Sequence, residues 1–267
     1  MPRRIEPLIK STLKVHPTIY SWAKRLRAAL PYSIPYSFYR SEDELLAKFA
    51  KRQRDVFFFQ IGAHDGKTDD VLFQLVREHQ WKGVLLEPVK YLFDRLVSNY
   101  AGTLGLSFEN KALMAKDGSA TFYHLRQTND PLLPYWYDQL GSFSRDVVLW
   151  HKRAIPNIED YLIEERVECI SFDTLVERYK VNRIDLILID TEGYDLEVLK
   201  NIDFRRYRPK LIIYEQIHLS PKDRAEAIRL LKCNGYVVQP AGMNNVAIRS
   251  WVTHFLPSIN WRRSVTR

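Results

Sequence analysis

The chain has 267 residues, 46% hydrophobic and 27% charged, enough for one large α/β domain or two small ones with a full core. Its two cysteines, Cys169 and Cys233, lie far apart, which excludes a disulfide framework and a thiolate zinc site and points to a reducing, cytoplasmic setting. Of the net charge of +8, +7 lies in residues 1–40, which leaves +1 for the rest; nucleic acid is therefore not an expected partner of the body.

Residues 1–50 read as a basic helical extension. Charges and prolines interrupt every apolar run there, so neither a signal peptide nor a membrane span is expected. "TIYSWAKRLRAAL" (18–30) sets Ile19, Trp22, Leu26 and Ala29 on one helical face. Such a helix suits packing on the body, the plainer reading, or peripheral contact with the anionic inner face of a membrane.

From residue 55 onward, strand and helix patterns alternate. "VFFFQIG" (56–62) is an apolar run ending in glycine, and a helix follows over 67–80. "GVLLEPV" (83–89) is a second strand, followed by a helix over 91–100. "LSFENKAL" (106–113) reads as a third strand, and "SATFYHL" (119–125) alternates like a hairpin strand. Residues 126–165, rich in aromatics and prolines, form an insertion with a helix near 144–153. "VECISF" (167–172) is a strand, and Asp173 caps a helix over 173–180. Then come "IDLILIDTEGYDLEVLK" (184–200), strand then helix, the strand "KLIIYEQ" (210–216), a helix over 221–235, and the closing strands "YVVQP" and "NVAIRS". The continuous apolar runs at 57–61, 84–87, 186–189 and 211–214 suit strands covered on both faces by helices. The fold class is α/β: a doubly wound, mostly parallel, Rossmann-like sheet spanning 51–267.

In such a sheet, ligands bind outside the carboxyl ends of the strands. The first strand ends in "QIGAHDG" (60–66), where Gly62 and Gly66 can let the backbone approach an anion, although His64 breaks the GxGxxG pattern. The second ends in "LLEP", with Glu87 placed either to bind ribose hydroxyls or to start a helix before Pro88. Asn110, beside Lys111, is a reader of adenine or a turn former. Asp190, Glu192 and Asp195 crowd the end of the 184–189 strand. The first two face the crevice, whereas Asp195 suits a helix first turn.

"FFFQIGAHDG", "LLEP", "ENKAL…DGSATFY", "SFDTLVERYKVNRIDLILIDTEGYDLEVLK" and "KLIIYEQ" together resemble the successive motifs of the FkbM-type methyltransferases, over residues 55–249. The resemblance implies a class I, seven-stranded methyltransferase domain that uses S-adenosyl-L-methionine. It further implies that the Gly62–Gly66 turn, with Gln60, His64 and Asp65, holds the methionine end. Glu87 and Pro88 would hold the ribose, and Asn110, Lys111 and Ala112 would flank the adenine. Asp190 would face the sulfonium. Gln60 stands where the family often has an acid, and His64 where it has Asn. The implied reaction is O-methylation of a glycan or natural-product hydroxyl. Asp190, Glu192 and His218 are the groups placed to take the hydroxyl proton.

Carboxylates here also suit Mg²⁺, but no ligand cluster is legible and no metal residue is assigned. Tyr135, Trp136, Tyr137, Phe143 and Trp150 make the insertion either an acceptor-binding lid or a satellite core. The alternative function is a catalytically inactive methyltransferase-like protein that docks to a membrane or partner through its basic segment.

Overall fold

The computed structural model describes residues 41–249, so the 18–30 helix and the basic segment 1–40 lie outside the described residues. The elements run α1 (Ser41–Arg52), β1 (Phe57–Ile61), α2 (Leu72–His79), β2 (Lys82–Leu86), α3 (Lys90–Asn99), β3 (Leu106–Glu109), β4 (Ala112–Met114), β5 (Gly118–Leu125), β6 (Gly141–Ser142), α4 (Arg145–Leu149), β7 (Leu162–Ser171), α5 (Phe172–Arg178), β8 (Leu186–Ile189), α6 (Asp195–Lys200), β9 (Leu211–Glu215), α7 (Pro221–Cys233), β10 (Tyr236–Ala241) and β11 (Asn244–Arg249).

Seven strands form the main sheet in the order β10-β11-β9-β8-β1-β2-β3. The pairs from β9 to β3 are parallel, and β11 runs antiparallel to both β9 and β10. Period-two alternation explains why the central strands are apolar throughout. Phe59, Ile61, Ile187, Ile189, Ile212 and Tyr214 enter one core with α5, α6 and α7. Phe58, Leu186, Leu188, Leu211 and Ile213 enter the other with α1, α2 and Leu96 of α3. Each such side chain contributes roughly 2 kcal/mol by burial. Leu45, Leu46, Phe49 and Ala50 of α1 join this second core, with Phe49 edge-on to Trp81, although the sequence reading placed them in the extension.

At the amino edge of the sheet, fully buried Asp185 accepts the Phe57 N–H (3.0 Å) and is paired with Arg183 (2.9 Å) and Lys210 (2.8 Å). This clamp fixes the register of β8 against β1 and β9 from the end opposite the carboxyl-edge crevice.

Four strands form a second sheet, β4-β7-β5-β6, which the sequence reading did not separate from the first. The run 106–113 splits between the two sheets. β3 stops at Glu109, and Asn110 Nδ2 donates to the carbonyls of Glu87 (2.8 Å) and Pro88 (2.9 Å), turning the chain into β4. β7 begins at Leu162 because 162–169 pairs antiparallel with all of β5. Two helix starts also differ. Ser171, not Asp173, caps α5, its Oγ accepting the Thr174 N–H (3.2 Å). α2 begins at Leu72 rather than 67, because Asp69 lies at φ +57 and Asp70 accepts the Leu72 N–H (2.6 Å). In the 126–165 stretch, Trp136 and Tyr137 pack with Leu125, Val148, Ile155 and Ile158 in a satellite core, and only Tyr135 and Trp150 of its named aromatics are largely exposed.

Candidate active site

A cavity opens at the carboxyl ends of β1, β2 and β8, roofed by β5, β6 and the turn around Asp138. Open mouth included, it encloses about 1130 Å³. Gln60, Gly62, His64, Glu87, Pro88, Lys111, Ala112, Asp190 and Glu192 all line it. Asp65, Gly66 and Asn110 do not; they shape the loops behind its wall.

The β1–α2 turn is built by internal demands. Gly62 sits at φ +79, and a Cβ there would meet the Asp190 carbonyl oxygen at 1.9 Å. Gly66 sits at φ +67, where a Cβ would meet Leu96 Cδ1 at 2.3 Å. Both glycines are therefore needed to seat the loop on β8 and α3, whatever binds beside it. Asp65 accepts the N–H groups of Lys67 (2.9 Å) and Thr68 (2.7 Å) and the Thr68 hydroxyl (2.6 Å). Gln60 donates to Asp70 Oδ2 (2.8 Å), while its Oε1 is buried without a hydrogen-bond partner.

His64, at φ +51, holds its ring 3.4 Å from Asp65 and 3.5 Å from Asp138. Burial pulls its pKa down, but the two carboxylates outweigh that and raise it from 6.5 to about 9, so the ring is a cation at neutral pH. Asp138, also paired with Arg95 (2.8 Å), is held below the usual carboxylate range: burial opposes this, but His64 and Arg95 prevail. Glu87 accepts the His64 N–H (2.8 Å) and the Val89 N–H (2.9 Å), and burial raises its carboxyl pKa. Lys111 pairs with Glu168.

At the other end, Glu192 occupies a left-handed turn (φ +48), and its carbonyl accepts the Ser142 hydroxyl (2.7 Å) from β6. His218 Nδ1 lies 2.9 Å from Glu192 and 2.8 Å from Glu215. Burial lowers its pKa, but those two carboxylates push it up to about 11. His218, expected as a candidate base, does not line the cavity itself; its ring faces Glu192 and Glu215 behind the wall. Asp195 is more than a helix-start acid. Fully buried, it accepts the Glu215 N–H (3.0 Å) and the Thr191 hydroxyl (2.9 Å) and ties the ends of β8 and β9 together. Burial and the charge of Glu215 raise its pKa to about 7.

Sequence reasoning missed Asp138, Asp70 and Glu215. The signal for Asp138 was an acid embedded in "YWYDQL", where neighbours this apolar imply burial.

A family model, the methyltransferase FkbM domain, matches residues 60–238. No curated protein sequence matches the chain. Among solved structures, the FkbM methyltransferase of Methylobacillus flagellatus is similar at 12% identity and a TM-score of 0.49, covering 86% of this chain and 58% of its own. The chain thus spans less than two thirds of that protein's length. Ribosomal protein L11 methylase of Lactobacillus delbrueckii subsp. bulgaricus aligns at 9% identity and a TM-score of 0.39, over 78% of this chain and 76% of its own. An RNA methyltransferase of Salinibacter ruber, solved with S-adenosyl-L-homocysteine, aligns at 12% and 0.34, over 81% and 92%. The family model spans most of the chain, over the main sheet and its carboxyl-edge cavity: this protein belongs to the FkbM methyltransferase family.

Proposed function

We propose that the chain is an S-adenosyl-L-methionine-dependent O-methyltransferase acting on a hydroxyl of a glycan or natural-product acceptor. The observation that carries this reading is that one cavity is lined by Gln60, His64, Glu87, Asp190 and Glu192 together. The cofactor, when bound, supplies an electrophilic methyl group. The residues present fit it. The orphaned Gln60 Oε1 suits its ammonium and the His64 cation its carboxylate. Glu87, whose two oxygens each receive one amide N–H, keeps lone pairs for ribose hydroxyls. Ala112 and Leu113 offer apolar surface to the adenine.

Transfer is an in-line displacement, so alignment supplies most of the acceleration. Asp190 is the proposed proton acceptor for the acceptor hydroxyl, because it directly follows β8 at the cavity wall and Glu192 is engaged with His218.

Titration calorimetry with S-adenosyl-L-homocysteine tests the reading. Binding is expected, and Glu87→Ala should weaken it roughly 10- to 100-fold, the loss of one or two charge-assisted hydrogen bonds. Absence of binding by the unaltered chain would remove the proposal. With labelled cofactor and a panel of glycans, Asp190→Asn should lower kcat about 10²- to 10⁴-fold while leaving S-adenosyl-L-homocysteine affinity in place.

A further inference from the structure

The carboxyl ends of β8 and β9 gather groups that methyl transfer alone does not require. His151, in the 3-10 turn after α4, joins Glu192 and His218, and each brings one donor atom within 4.8 Å of the other two. Asp190 and Glu215 each bring a carboxylate oxygen equally close to Glu192 and to each other. The two imidazole rings lie 5.3 Å apart, and Trp150 stands edge-on to both, at 5.0 and 5.3 Å. The His218 side chain is only 6% exposed; its Nδ1 faces Glu192 and Glu215, while its Nε2 is buried without a hydrogen-bond partner. A buried ring nitrogen left this way carries a desolvation cost with nothing to offset it.

We propose that His151, Glu192 and His218 form a binding site for one divalent transition-metal ion, with Asp190 and Glu215 supplying further oxygens. Metal–nitrogen and metal–oxygen bonds of about 2.0–2.2 Å set ligand atoms roughly 3–4.4 Å apart, close to the 4.8 Å within which these donor atoms lie. Two imidazoles with carboxylates suit Mn²⁺, Co²⁺ or Zn²⁺, whereas Mg²⁺ favours an all-oxygen shell. Trp150 shields the site from one side. Asp190 and Glu192 open it to the cavity on the other. On the O-methyltransferase reading, an ion there binds the acceptor hydroxyl and makes it easier to deprotonate. The site itself does not depend on that reading.

The full chain, stripped with a chelator, should bind Mn²⁺ or Zn²⁺ at one ion per chain by calorimetry, and Mg²⁺ at least 10-fold more weakly. His151→Ala and His218→Ala should each weaken Mn²⁺ binding at least 10-fold, with S-adenosyl-L-homocysteine affinity measured on the same samples as the check on folding. Pulsed electron paramagnetic resonance of bound Mn²⁺ should show coupling to histidine nitrogen, lost in His151→Ala. Binding unaffected by either substitution, equal affinity for Mg²⁺, or no stoichiometric binding would overturn the site. Metal binding without S-adenosyl-L-homocysteine binding would reject the methyltransferase reading and keep the site; the reverse would reject the site alone.

Discussion

Replacing Asp138 with asparagine isolates the charge balance that holds the β1–α2 turn. His64 lies at nearly equal distance from two carboxylates, 3.4 Å from Asp65 and 3.5 Å from Asp138. Its rise from 6.5 to about 9 corresponds to about 3 kcal/mol of folding stability, at about 1.36 kcal/mol for each pH unit. Because the folded pKa is the higher one, this contribution is fully present below pH 6.5 and is lost as pH rises through 9. Asp138→Asn removes about half of the attraction, while the burial that opposes it stays. More than half of the net rise should therefore vanish, bringing His64 below about 8 and costing about 2 kcal/mol at acidic to neutral pH. Ring-proton NMR titration reads the pKa directly. Urea unfolding of the two proteins at pH 6 and pH 9.5 reads the energy, and the gap should narrow at the higher pH, where His64 is mostly neutral in both and the lost Arg95 pair is the main difference left. A His64 pKa that stays near 9, or a gap of equal size at both pH values, would refute the reasoning.

Gly66→Ala should cost roughly 2–4 kcal/mol in urea melts, because the new methyl meets Leu96 and Tyr100 in a left-handed backbone; a neutral result would mean the turn can slide off α3. Asp185→Ala should destabilise by about 3 kcal/mol, since it orphans the Phe57 N–H and strips Arg183 and Lys210 of their buried partner; chemical denaturation measures it. Asp195, with a carboxyl pKa raised from 3.8 to about 7, contributes stability present below pH 3.8 and lost as pH rises through 7. Asp195→Asn should therefore flatten the melting temperature between pH 4 and 7, and a slope as steep as the parent's would count against its burial as an acid.

The parallel core was legible because β1, β2, β8 and β9 are buried on both faces, which leaves an uninterrupted apolar run in the sequence. The second sheet was not, because β7 alternates exposed charges such as Glu164, Arg166 and Glu168 with apolar residues, and its partner β5 lies more than 35 residues away in sequence. Strand-end positions drew attention to Glu87 and Asp190, and both line the cavity. The same reasoning could not show that Asn110 spends its amide on two carbonyls, or that His218 falls between two carboxylates, since both depend on where separate loops meet. Asp195 misled for a related reason. The first-turn position explains an acid there well enough that nothing in the sequence announces its total burial.

The hydrogen bond from Ser142 to the Glu192 carbonyl ties the roof of the cavity to the turn that follows β8. Ser142 belongs to a two-residue strand at the sheet's free edge, and Glu192 holds a backbone conformation that its neighbours must enforce. Lifting β6 would break that bond and free the turn, so the roof of the cavity and the loop after β8 hold each other in place across its opening.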